Sequence, residues 1–231
     1  MIFRSLITPR DKWLFRVNSG WDAARVRRTL DASVPNKSRY ALISTNAKNS
    51  PADAVKLIRP RSLPRDTLRK YMACQAQREY RAARQLADWN IPSVAVHGWG
   101  FAFAPRAPYE SMLLMEYRPG CTNARAYLED NPDDDTRWRL LDAIASDVAQ
   151  IYRRGYHHND CHLGNVLVDR KGNRTWVDNE LRRVYNRKSL WRRFEQTLDL
   201  LDRSCKQSIS AEMKNAFTTR CRSLLGTIRP T

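Results

Sequence analysis

The sequence predicts an α+β fold of two lobes: a small antiparallel sheet with one long helix, then a shortened, mainly helical lobe. Strand-like segments crowd the first half, at 13–17, 40–45, 54–58, 94–96 and 111–117, and one long helical pattern, 66–89, runs between them. After residue 118 the pattern turns helical, over 136–152, 189–204 and 210–225, and one short hairpin breaks it. A chain of 231 residues suits two small lobes sharing a cleft. The division is placed between an N-terminal lobe, 1–117, and a C-terminal lobe, 118–231.

Taken in order, Trp13-Leu14-Phe15-Arg16-Val17 reads as a strand, and Trp21 to Leu30 fits a helix or a strand equally well. Tyr40–Thr45 and Ala54–Ile58 form a hairpin across the Asn46–Asn49 turn. Lys56 stands alone among apolar neighbours in Ala-Val-Lys-Leu. Pro60 and Pro64 interrupt the chain, and a three-four rhythm of Leu68, Met72, Ala76, Tyr80, Ala83 and Leu86 follows. Once Asp66 at its start is set aside, Glu79 is the sole acidic residue of that helix before Asp88. Asn90-Ile91-Pro92 ends it. Val94–Val96 and Ser111–Tyr117 are the next strands, joined by a loop with Pro105 and Pro108.

Arg118-Pro119-Gly120 is a turn, which makes Met115, Glu116 and Tyr117 the candidate hinge whose backbone would meet an adenine. Pro132-Asp133-Asp134-Asp135-Thr136 supplies capping and acidic residues ahead of a helix with Trp138, Leu141, Ala145, Val148, Ile151 and Tyr152 on one face. Gly155 closes it. The polar stretch His157-His158-Asn159-Asp160-Cys161-His162-Leu163-Gly164-Asn165 comes next, followed by apolar Val166-Leu167-Val168, a Lys171-Gly172-Asn173 turn and Thr175-Trp176-Val177. Asp178-Asn179-Glu180 ends this hairpin, and a basic stretch, 181–188, leads into the last two helices.

This is the spacing of a kinase catalytic loop. An aspartate, Asp160, accepts the proton of an attacking hydroxyl, and an asparagine five positions on, Asn165, binds magnesium. Asp178, returned by the hairpin, is the second metal ligand, and Glu180 assists. Lys56 resembles the strand lysine of kinases, which contacts the α and β phosphates of ATP, and Glu79 is the sole candidate to hold it by an ion pair. His158 and His162 complete the catalytic group and brace the loop rather than carry protons.

The composition narrows the partners. Residues 1–100 carry 19 basic and 7 acidic side chains, net +12, and residues 101–231 carry 22 and 17, net +5. The N-terminal part is expected to meet something anionic. Five scattered cysteines without a Cys-x-x-Cys pair point to reduced thiols in a cytosolic compartment and away from zinc. No run of about 18 apolar residues occurs, so no membrane-spanning helix is expected, and the N-terminal apolar stretch is too short for a secretory signal. Neither an internal repeat nor a low-complexity tract is present.

The segment His158–Asn165 resembles the protein-kinase-like superfamily, on the side of small kinases and aminoglycoside phosphotransferases. Asp178-Asn179-Glu180-Leu181-Arg182-Arg183, Trp191-Arg192-Arg193 and Leu198–Ser204 are similar to the bacterial lipopolysaccharide core kinases, the Kdo and heptose kinases, over residues 40–204. That resemblance implies a protein-kinase-like two-lobed fold. It also implies phosphoryl transfer from ATP, with Mg2+, to a sugar hydroxyl of the lipopolysaccharide core, peripheral at the cytoplasmic face of the inner membrane. The charge of +17 fits an anionic sugar acceptor and an anionic inner-membrane surface. Two departures stand out. No Gly-x-Gly loop precedes Lys56, so Asp31–Ser38 or Asn46–Ser50 would cover the phosphates, and Asn179 replaces the usual apolar residue after the metal aspartate. A kinase acting on a small molecule or protein, or an inactive kinase-like scaffold, are the alternatives. A nucleic-acid binder would rest on charge alone and is not expected.

Overall fold

A computed structural model of the chain describes residues 4–8, 13–31, 41–45, 53–59, 71–103, 109–130, 133–205 and 208–226. The chain forms two compact units, Met1–Asp88 with Val94–Pro119, and Trp89–Ser93 with Gly120–Thr231.

The first unit is built on a six-stranded sheet. Its strands are β1 (Arg4–Thr8), β2 (Trp13–Val17), β3 (Ala41–Thr45), β4 (Asp53–Ile58), β5 (Val96–Ala102) and β6 (Ser111–Glu116). They lie in the order β1-β2-β5-β6-β4-β3, every neighbour antiparallel. Alternation along β2 buries Trp13, Phe15 and Val17 and leaves Arg16 exposed, as a half-buried strand requires. These residues join Trp21, Val26, Val55, Met112 and Leu114 in one apolar cluster. The segment from Trp21, open between helix and strand, is helix α1 (Ala23–Asp31), started by the Asp22 side chain accepting from the Arg25 N–H at 2.7 Å.

The long helix expected over 66–89 is interrupted. Residues 71–73 are helical, Cys74 breaks the run, and α2 spans Gln75–Asp88. Its first N–H groups find partners at the start of the strand it packs against: Gln75 N donates to Oε1 of Glu110, just ahead of β6, and Ala76 N to Ser111 Oγ on it. A cap supplied from 35 residues away is invisible to helical periodicity. The strand expected at 94–96 lies instead at Val96–Ala102, because Gly98 and Gly100 hid it. A Cβ on Gly98 would stand 2.5 Å from the Arg16 carbonyl oxygen, and one on Gly100 would stand 2.4 Å from the Phe15 ring. Each glycine admits β2 at close range. The expected phosphate covers, residues 32–38 and 46–50, fall outside the described residues, as do residues 66–70 of the expected helix and the loop 104–108.

The second unit comprises β7 (Thr122–Asn123), α3 (Ala124–Asp130), α4 (Asp134–Arg153), β8 (Tyr156–His158), a 3-10 turn (Leu163–Asn165), β9 (Val166–Val168), β10 (Arg174–Trp176), β11 (Leu181–Arg183), α5 (Arg187–Cys205) and α6 (Ala211–Leu225). Helix α3 and strand β11 were not expected: α3 is only two turns long, and β11 is a basic triplet whose pairing comes from β8. Asp133 caps α4 by accepting from Thr136 N, and Asp134 and Asp135 in its first turn suit the positive helix end. Helices α4, α5 and α6 bury Leu141, Val148, Tyr152, Phe194, Leu198, Leu201 and Phe217. Residues 89–93 belong to this unit because Trp176 N donates to Pro92 O at 2.8 Å and Ser93 bridges Trp176.

Candidate active site

In the first unit, Lys56 on β4 lies opposite Ile43 on β3 and Leu113 on β6, in the interior of the sheet. Its Nζ is 2.8 Å from Glu79 Oε2, both side chains are at most 5% exposed, and Gln75 Nε2 donates to the other Glu79 oxygen at 3.0 Å. The sequence-predicted pair is therefore assembled. Met115 is buried on β6, Glu116 follows it, and Tyr117 leaves the strand. The Glu116 N–H donates to Ala95 O at 2.8 Å and is not among the groups that could meet an adenine. The Glu116 carboxylate pairs with Arg118 at 3.2 Å.

In the second unit, β8 delivers the chain to Asp160. The Asn165 amide nitrogen donates to both the Asp160 carbonyl and its Oδ2, at 3.0 Å each. This leaves Asn165 Oδ1 as the amide atom able to ligate a hard cation. Gly164 N donates to His162 Nδ1 at 3.0 Å, so the imidazole proton sits on Nε2, which faces Asp160 Oδ1 at 3.4 Å. The facing ring lowers the Asp160 pKa, and the carboxylate raises that of His162. Asp160 is thus an exposed, anionic carboxylate held on two sides, suited to accepting a proton from an incoming hydroxyl.

Asp178 returns to the same loop. Val177 N donates to Asn165 O at 2.9 Å, and the Asp178 charge reaches His162 and raises its pKa. Asp178 has φ +54°, a left-handed conformation that aspartate and asparagine adopt more readily than other non-glycine residues. Glu180 is largely buried and its Oε1 accepts from Arg182 at 2.9 Å. Among the described residues no group of three or more His, Cys, Asp or Glu side chains could hold a metal ion. The expected ligands Asn165, Asp178 and Glu180 offer one amide and two carboxylates, hard oxygen donors of the kind that suit magnesium.

Two structural features escaped the sequence. Asp147 sits in the apolar stripe of α4 between Ile144 and Ile151, a carboxylate at a core position, and that was the available signal. It accepts two hydrogen bonds from Arg174, at 2.6 and 2.7 Å, and one from Trp176 Nε1 at 2.9 Å, which fastens β10 just ahead of Asp178. The second is a set of bonds around Asn179. His158 Nε2 faces Asn179 Oδ1 at 3.4 Å, and Asn179 Nδ2 donates to Ser93 Oγ at 2.9 Å and Trp176 O at 3.4 Å.

Burial holds both His157 and His158 neutral, their pKa values pushed down to about 4. Unfolded, they titrate near pH 6.5. The unfolded chain binds more protons between these values, so their contribution, complete above pH 6.5, is lost as pH falls toward 4. The melting temperature is expected to drop across that window, and His158→Phe, which cannot titrate, to shallow the drop. An unchanged slope in the variant would count against a neutral, buried His158.

The model of the lipopolysaccharide kinase (Kdo/WaaP) family matches residues 30–220. No curated protein matches the chain in sequence. Among solved structures the chain is similar to WaaP in complex with acyl carrier protein, at 16% identity and a TM-score of 0.66, covering 98% of this chain and 90% of that one. At that identity the likeness shows the fold, which is kinase-like.

Proposed function

Because the chain belongs to the lipopolysaccharide kinase (Kdo/WaaP) family, and is thereby an ATP-dependent phosphotransferase with an alcohol group as acceptor, we propose that it phosphorylates a Kdo or heptose hydroxyl of the lipopolysaccharide inner core. The observation that carries the reading is Asp160, an exposed carboxylate whose lowered pKa keeps it ionised and whose orientation Asn165 and His162 fix. In this reading Asp160 orients the acceptor hydroxyl and takes its proton as the oxygen attacks the γ-phosphorus, releasing ADP. Lys56, steadied by Glu79, places the α and β phosphates. Magnesium, when bound, neutralises charge on the β and γ phosphates, and Asn165 and Asp178 would hold it with help from Glu180. Positioning and charge neutralisation supply most of the rate, because the transition state is loose.

The metal assignment has a direct test. Asp178→Asn replaces an anionic ligand by a neutral amide, a poor partner for a hard cation. The Mg2+ concentration giving half-maximal nucleotide binding is expected to rise about tenfold or more, a loss of about 1.4 kcal/mol. An unchanged magnesium requirement would remove Asp178 from the metal site. The acceptor is tested by mass spectrometry of core oligosaccharide from a strain lacking the protein. One missing phosphate is the expected result, and an unaltered core would overturn the substrate assignment.

A peripheral position on an anionic membrane is part of the same proposal. No described helix is long and apolar enough to cross a membrane. Arg182, Arg183, Arg187 and Lys188 are all exposed, and Tyr185, 85% exposed, lies under the Arg183 guanidinium at 5.2 Å. Amphipathic aromatic rings and arginines suit the headgroup layer. Arg187 and Lys188 also open α5, the helix end where cations are disfavoured, so helix stability gives no reason for them. Each basic residue near an anionic surface is worth about 1 kcal/mol, screened over about 8 Å at physiological salt. Arg187→Glu with Lys188→Glu should therefore weaken co-sedimentation with anionic vesicles about tenfold or more while leaving ATP binding unchanged. Absence of vesicle binding by the unmodified protein at low salt would sink the membrane reading and leave the kinase reading standing.

A further inference from the structure

Asp178 is held in its left-handed conformation with a neighbour pinned on each side. Before it, Val177 N donates to Asn165 O. After it, Asn179 is 2% exposed and fully engaged through its side chain, as acceptor toward His158 Nε2 and as donor to Ser93 Oγ and Trp176 O. The Trp176 carbonyl can only accept, so the Asn179 nitrogen faces it and Oδ1 meets an Nε2–H on His158. The other His158 nitrogen, Nδ1, is buried and makes no hydrogen bond, which leaves the contact with Asn179 as the polar anchor of the ring. Backbone pairing runs alongside, His158 opposite Leu181 and Asn159 N donating to Glu180 O at 2.9 Å.

From this arrangement we propose that Asn179 is a positioning residue, a hydrogen-bonded latch that fixes Asp178 by tying the segment after it to His158 of the catalytic loop and to Ser93. An apolar residue there would hold the segment by packing alone. The amide instead makes three directional bonds, one back to Trp176 three residues earlier and two to other stretches of chain, at His158 and Ser93, which fix its rotation as well as its depth. Asp178 alone bears the positive φ in this segment, and both flanking residues are tied down, which fixes the direction in which its side chain leaves the backbone. The proposal rests on the reading of Asp178 as a metal ligand.

The test compares Asn179→Leu, which keeps the bulk and removes all three bonds, with Ser93→Ala, which removes one bond from outside the catalytic loop. Binding of a fluorescent ATP analogue is titrated with Mg2+, and turnover and thermal melting are measured on the same samples. Asn179→Leu is expected to raise the half-saturating Mg2+ concentration about tenfold, and Ser93→Ala about threefold. Nucleotide affinity without metal should stay within twofold. A merely structural asparagine would lower the melting temperature and leave the Mg2+ dependence where it is, and that outcome overturns the proposal. If Asn179→Leu fails to fold, Ser93→Ala decides: an unaltered Mg2+ midpoint overturns the latch. Nucleotide binding by the unmodified protein that ignores Mg2+ altogether would instead overturn the metal site itself, a result distinct from failure of the latch.

Discussion

Asp160→Ala is expected to lower kcat by about a thousandfold, within the range that a positioned general base contributes, while ATP affinity stays within about threefold. The structure makes this a clean removal. The Asp160 side chain is 57% exposed, and the Asn165 amide that bonds its Oδ2 also bonds its backbone carbonyl, so the loop keeps a tie when the carboxylate goes. The melting temperature should therefore hardly move. Asp160→Asn, with nearly the same shape, should be as inactive, because an amide takes no proton. The pH profile adds a second check. His162 holds the Asp160 pKa below the usual carboxylate range, so His162→Ala should move the acid limb of kcat upward in pH. Turnover near the unmodified level in Asp160→Ala, measured as ADP release with an inner-core acceptor, would remove Asp160 from the chemistry.

The candidate site residues that could be read from sequence are those whose chemistry is local. Asp160 and Asn165 lie five positions apart on one loop, and the hairpin β9–β10 that returns Asp178 is short and opens on the apolar Val166-Leu167-Val168. Lys56 was legible as a lone cation in an apolar strand, at the place of a kinase strand lysine, and Glu79 as the one mid-helix acid able to pair with it. What remained hidden depends on residues far apart in the chain. Ser93 and Asn179 meet across 86 positions, Glu110 caps α2 from 35 residues away, and the β5 glycines carry meaning only beside Phe15 and Arg16. Periodicity records which face of an element is apolar, but not which polar atom of another element waits there. The interruption at Cys74 shows this most plainly, since the three-four rhythm runs through it unbroken.

The Lys56–Glu79 pair should show strong coupling in both stability and turnover. Both side chains are at most 5% exposed and their charged atoms lie 2.8 Å apart. Removing one partner of such a pair leaves an uncompensated buried charge, which costs about 3–5 kcal/mol. At about 2–4 °C per kcal/mol for a chain of this size, Lys56→Met or Glu79→Leu alone should lower the melting temperature by roughly 10 °C. Replacing both with apolar residues of similar volume removes the buried charge altogether, so the double variant should recover most of that loss. Turnover should behave differently. Lys56→Met removes the cation assigned to the phosphates, and Glu79→Leu frees the cation from its position, so each should cost about a hundredfold. Because the two act as one unit, the second removal should add little to the first. Recovered stability with turnover still lost is the signature of a pair that places phosphates rather than one that only holds the lobe together. Additive losses in turnover would mean that the phosphates meet a different cation, and a double variant as active as the unmodified protein would exclude Lys56 from the reaction.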